Sequence, residues 1–294
     1  MRIARVIPGL FFLLLATFTA SAAAAPSRWT VTSQPARIVN GAPVLFRVVP
    51  PRPVTTLSAR WLDHDIFFTF DPTKRAWYGI AGASQETKPG AYPIELRATV
   101  SAGPPLLFQR RFSVQKQRYP KVVVLNVPHK FTAPDPEQMR VIASDKQVKE
   151  KAFKTVTPER EWKGSFVPPV KAEISDVFGV QRVFNGAVQS THQGLDFRVP
   201  TGTEVSAVNA GTVILARFLY FEGNCVVIDH GQGLLTLYLH LSESRVKEGE
   251  QVKKAQLIGL SGGTGRATGP HLHLAVRWQG TYLNPAGLFA LQIP

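Results

Sequence analysis

Between Leu235 and Leu241 the chain alternates without interruption: Leu235, Leu237, Leu239 and Leu241 take one parity, and Thr236, Tyr238 and His240 the other. Successive side chains of a β-strand point to opposite faces, whereas a helix repeats every ~3.6 residues. The run is therefore predicted to be a strand with one face on a core and the other, carrying His240, exposed or lining a groove. Val205 to Leu215 and Cys225 to Asp229 read as companion strands, with Gly at most corners.

The same β character extends upstream. From Ser27 to Val114, short runs such as Val44 to Val49, Ile66 to Phe70, Trp77 to Ile80 and Tyr92 to Val100 are separated by Pro and Gly. This spacing predicts a small β-sandwich over residues 27–114. Residues 115–163 read as a connector. Within it, Asp135-Pro136-Glu137-Gln138 carries a helix start, with Asp as N-cap, Pro at the first helical position and Gln three after the cap. The helix is expected to run through about Phe153, with Lys146, Lys149, Lys151 and Lys154 on a solvated face. Residues 164–294 then form a second β unit. The fold class is mainly β: a C-terminal antiparallel β-sheet groove, an N-terminal β-sandwich and a helical connector. At 294 residues and 44% hydrophobic composition, the chain can bury two cores.

Residues 1–25 read differently. Arg2 and Arg5 precede the apolar run Leu10 to Phe18 and the small-residue site Ala20-Ser21-Ala22. This is the pattern of a secretory signal peptide, and its apolar run is too short to span a bilayer. The expectation is export to the periplasm or cell envelope, with no stable membrane span after signal cleavage. The single cysteine, Cys225, rules out a disulfide within the chain and sits in an apolar run as a small buried hydrophobe. The net charge is +14, of which cleavage would remove only Arg2 and Arg5. The basic residues are spread along the chain, which favours anionic cell-envelope polymers over nucleic acid as partners.

Of seven histidines, five lie between His192 and His273. In Gly269-Pro270-His271-Leu272-His273-Leu274, the two histidines share one face of a strand and the two leucines the other. In His192-Gln193-Gly194-Leu195-Asp196, an extended chain puts His192 and Asp196 on one side, and Gly194 between them leaves room for an ion. His192, Asp196 and one of the later pair would supply two imidazoles and a carboxylate. That is the ligand pattern of catalytic zinc, with a fourth position open to water. Calcium or magnesium would call for more oxygen ligands. The other histidine of the pair and His240 are then candidates to take the proton of an attacking water. His64 and His129 read as surface residues and His230 as part of a strand-end turn. Gly202 to Val205 with Val246 to Lys254 suggests the turns of a biotinyl or lipoyl carrier, but no lysine sits at a hairpin tip to be modified.

His192-x-x-x-Asp196, Tyr238-Leu239-His240-Leu241 and Gly265-Arg266-Ala267-Thr268-Gly269-Pro270-His271-Leu272-His273, in that order, resemble the motifs of the LytM/lysostaphin-type peptidoglycan metalloendopeptidases. The likeness runs from about Val170 to Pro285 and takes in Ile174 to Gly179, Gly202 to Val205 and Asn224 to Gly231. It implies a lysostaphin-like peptidase fold and one zinc ion held by His192, Asp196 and His273. It also implies that His240 and His271 act on the water and the developing oxyanion. The implied reaction is hydrolysis of stem peptides or cross-links of peptidoglycan, with D-Ala–diamino acid bonds favoured over glycine bridges. The alternative is a non-hydrolytic wall-binding or hydrolase-activating module that keeps its zinc. No ligand position is missing, which favours the enzyme. The size of the region ahead of the peptidase unit adds the expectation that it covers the groove and keeps the enzyme latent.

Overall fold

The computed structural model describes residues 28–120, 122–154, 156–186 and 188–294, so the expected signal peptide over residues 1–25 lies outside the described residues. Alternating apolar positions build two packed sheets from the first part of the chain. One has the spatial order Thr30–Gln34, Pro43–Val49, Ala76–Gly82, Thr69–Asp71. The other runs Ile38–Val39, Leu106–Gln115, Gly90–Thr99, Thr56–Trp61, His64–Phe67. Phe46 of the first sheet meets Trp61 and Phe112 of the second edge-on, at ring-centroid distances of 5.2 and 5.1 Å. His64 is not a free surface residue: its ring lies 5.0 Å from that of Trp278, where the sandwich meets the C-terminal sheet.

The C-terminal sheet has the order Ile174–Asp176, Gly194–Phe197, Leu272–Trp278, Leu234–Leu241, Gly223–Asp229, Gly211–Leu219, Gln251–Val252. Its neighbours all pair antiparallel. The expected strand Val205 to Leu215 is in fact two, Glu204–Ser206 and Gly211–Leu219. Between them the buried Asn209 turns the chain, its amide bonding the carbonyls of Lys163 and Gly164.

The central strand Leu234–Leu241 keeps its predicted parity as far as Leu239, and both of its faces are largely covered. Thr236 and Tyr238 are fully buried on the side that joins the main core, with Leu272, Leu274 and Val276. Leu235 and Leu237 form a second cluster on the other side with Leu215, Cys225 and Ala275. The groove therefore lies on the leucine side, the opposite of what alternation suggested. Strand parity separates two faces, but which of them is roofed over depends on what packs there.

Part of that roof is the helix Pro136–Phe153, which starts at the Asp135–Gln138 capping box. Its Val148 and Phe153 pack on the leucine cluster. Lys149 leaves the expected solvated face and forms an ion pair with Glu222 at the groove. The connector also adds the strand Val123–Leu125, which runs parallel to Gln181–Phe184. Trp162 is almost wholly buried.

Candidate functional site

Sheet register builds the site. Asp196 stands directly opposite His273, and His273 opposite Leu239, so all three side chains emerge on the groove face. Gly194 opposes Ala275, and a Cβ on Gly194 would come 2.6 Å from His273 Nε2. The missing side chain makes room for the His273 ring rather than for an ion directly. His192 joins from the end of the strand Val188–Thr191, held by its backbone to Val180 and Gly179.

Regular alternation would send the His240 side chain to the far face with Tyr238. It does not go there, because the pairing slips between Asn224↔Leu241 and Val226↔Tyr238. At this bulge His240 takes a left-handed conformation, φ 63°, and its ring turns to the groove, 4.8 Å from that of His271. Leu241 is shifted with it onto the main-core side.

Three atoms converge. His273 Nδ1 lies 2.7 Å from Asp196 Oδ1 and 3.0 Å from His192 Nε2, and His192 Nε2 is 3.1 Å from Asp196 Oδ1. His192 donates its Nδ1 proton to the Val177 carbonyl at 2.8 Å, which turns Nε2 toward the other two atoms. One carboxylate oxygen and two ring nitrogens, all on buried residues, thus face a common point. This donor set fits a bound cation. The second oxygen of Asp196 is taken by Arg182, which also binds Asp176 at 2.6 Å.

His240 and His271 stand just outside that trio. Each donates Nδ1–H to a backbone carbonyl, His240 to Thr264 at 2.8 Å and His271 to Gly269 at 2.9 Å. Their Nε2 atoms are left as proton acceptors. His271 Nε2 is 3.8 Å from Asp196 Oδ1, farther than either ring of the trio. Burial, with the nearby His271 and His273, pushes the His240 pKa down to about 3, so its ring stays neutral near pH 7. Burial alone would raise the Asp196 pKa. The hydrogen bonds and charges of His192 and His273 overcome it and hold the carboxyl well below the usual range.

The structure thus brings together all five residues singled out by sequence, His192, Asp196, His240, His271 and His273. His230 lies apart, buried between the Ala210 carbonyl and the Thr236 hydroxyl. Sequence reasoning missed Arg182 and the three carbonyls that orient the rings. Asp176 was signalled only as part of the matching segment Ile174 to Gly179, and no spacing pointed to Arg182. A cleft of about 380 Å³ runs from Asp176 and Arg198 past His240 and His271. A smaller one, about 170 Å³, continues toward Lys149, Glu222 and Tyr282.

Residues 190–285 match Peptidase family M23. Over 93 residues the chain is 48% identical to the peptidoglycan DD-endopeptidase ShyA of Vibrio cholerae serotype O1, covering 32% of this chain and 22% of that protein. Over 134 residues it is 39% identical to the DD-carboxypeptidase/endopeptidase Mpg of Neisseria meningitidis serogroup B, covering 45% of this chain and 31% of that protein. These matches span between about a fifth and a third of the relatives' length. A crystal structure assigned to peptidase M23, from Pseudomonas aeruginosa, aligns with 91% of this chain and 96% of its own at 27% identity and a TM-score of 0.64.

Proposed function

Starting from a chain whose residues 190–285 form a peptidase family M23 domain, we propose that it is an exported zinc metalloendopeptidase acting on peptidoglycan. The bond we favour is a D-Ala–diamino acid link, in keeping with the DD-endopeptidase names of two relatives. The observation that carries the reading is one groove holding both a ligand trio and two spare imidazoles with bare Nε2 atoms. A binding module would need the trio at most. Two more histidines, His240 buried and His271 half-buried, each fixed by a carbonyl, answer a need for proton transfer.

His192 Nε2, Asp196 Oδ1 and His273 Nδ1 would hold the metal, and Arg182 keeps the carboxylate turned toward it. Zinc bound there supplies a Lewis acid for the scissile carbonyl and a water acidified to near neutrality. His240 Nε2, neutral at working pH, accepts a proton from the nucleophilic water. His271 Nε2, the second acceptor beside the trio, can take up a proton and pass it to the developing oxyanion or the leaving amine. The burial of His240 and His273 limits competing water and strengthens each of these contacts.

Purified protein should clear a peptidoglycan suspension, lose that activity after chelation and regain it with zinc. Mass spectrometry of the released muropeptides should show new D-Ala termini. Undiminished clearing after exhaustive chelation would sink the zinc mechanism. Intact cross-links under conditions where the protein binds the wall would favour the non-hydrolytic alternative.

A further inference from the structure

Most carboxylate oxygens around the groove are engaged: Asp176 and Asp196 share Arg182, and Glu222 pairs with Lys149 through Oε1, leaving only its buried Oε2 without a hydrogen-bond partner. Arg266 is the contrasting case. Its guanidinium carbon lies 4.5 Å from the centroid of the Phe184 ring and 4.7 Å from that of Phe221, and it forms no ion pair among the described residues. Ring contacts engage the face of a planar guanidinium and leave its edge N–H donors free to meet solvent or a ligand. An arginine held in this way is preorganised to receive a carboxylate through two parallel hydrogen bonds.

Its position is set as firmly as its plane. The backbone N–H of Arg266 bonds the Phe221 carbonyl at 2.9 Å. Gly265 beside it, φ 73°, lies so close to the next turn that a Cβ would come 2.3 Å from the Gly223 nitrogen. The same loop supplies Thr264, whose carbonyl orients His240. Arg266 and His240 both border the larger and the smaller cleft, so the free cation stands where the two meet, at the reacting centre.

We propose that Arg266 anchors a free substrate carboxylate beside the scissile bond, selecting an acceptor diamino acid whose carbon attached to the amide nitrogen also bears that carboxylate. This rests on the peptidase reading above and narrows its substrate class. A glycine bridge offers no carboxylate at that carbon, and a diamino acid amidated there offers a neutral carboxamide. Hydrolysis itself is unchanged: water adds to the carbonyl, the C–N bond breaks and the amine leaves with a proton. Arg266 acts on which amide is presented.

The test uses the zinc-loaded full chain and two matched N-acyl-D-alanyl amides of a diamino acid, one with the carboxylate next to the amide nitrogen free and one with it as a carboxamide. For wild type, kcat/KM should favour the carboxylate about tenfold or more, chiefly through KM. Arg266→Gln should bring the ratio close to one, and Arg266→Lys should keep part of it. Equal turnover of both amides by wild type, or an unchanged ratio in Arg266→Gln, would overturn the proposal. Calorimetric binding of the free diamino acid and its carboxamide to wild type gives a readout that needs neither turnover nor the variant's folding, and equal affinities would also overturn it. If wild type cleaves neither amide nor any wall cross-link, the peptidase reading fails instead, and the binding comparison still decides whether the groove prefers the carboxylate.

Discussion

His240 occupies a backbone conformation, φ 63°, that costs most side chains energy, and the bulge around it turns the ring into the groove. If its role is proton transfer, His240→Ala should lower turnover by about 100-fold or more while bound metal stays near one ion per chain. Full activity in that variant would remove it from the mechanism. His192→Ala, in contrast, should lose metal and activity together. Gly194 gives a second test of the geometry. A Cβ there would lie 2.6 Å from His273 Nε2 and 2.3 Å from the Leu274 carbonyl oxygen. Gly194→Ala should therefore displace the ring and weaken metal binding by about tenfold or more. A metal titration indistinguishable from wild type would show that the sheet yields without cost.

At the scale of elements, the helix Pro136–Phe153 is the piece whose role changed most. Its start was written in four residues, because an N-cap and its reciprocal Gln bond are local chemistry. Its orientation was not, because which lysine faces inward depends on Val148 and Phe153 finding the leucine cluster. The Lys149–Glu222 pair ties the helix to the groove. If the helix restricts access, Lys149→Ala should speed wall digestion and lower the Tm, since Glu222 loses its counter-ion. No change in either measurement would leave the pair without a part in gating or stability.

Across the whole molecule, the main core runs from the sandwich, through residues such as Val44 and Phe46, to Leu272 and Leu283 of the C-terminal sheet. Protonation of its buried polar groups should therefore affect the stability of the whole fold. His230 is completely buried, donating to the Ala210 carbonyl and accepting from the Thr236 hydroxyl. Burial lowers its pKa from 6.5 to about 4. The unfolded chain thus takes up this proton first as pH falls. The stabilisation is complete above about pH 6.5 and is lost on acidification toward pH 4, by roughly 3 kcal/mol. Thermal melts at stepped pH should show wild type falling more steeply over that interval than His230→Gln, and parallel curves would contradict the assignment.

Much of the fold and the candidate site was legible in the sequence, since short-range rules govern strand parity, helix capping and the supply of imidazole and carboxylate ligands. Thus the leucine alternation predicted a strand, Asp135 to Gln138 a helix start, and His271 with His273 a shared face. Tertiary structure decided which atoms meet. His192 and His273 are 81 positions apart, and only antiparallel pairing places His273 opposite Asp196. It also decided which face became the groove and turned His240 into it, because a bulge is set by the partner strand rather than by the residues that carry it. Arg266 lay in plain sight within a motif, but that it forms no ion pair among the described residues became visible only once its place between Phe184 and Phe221 was known.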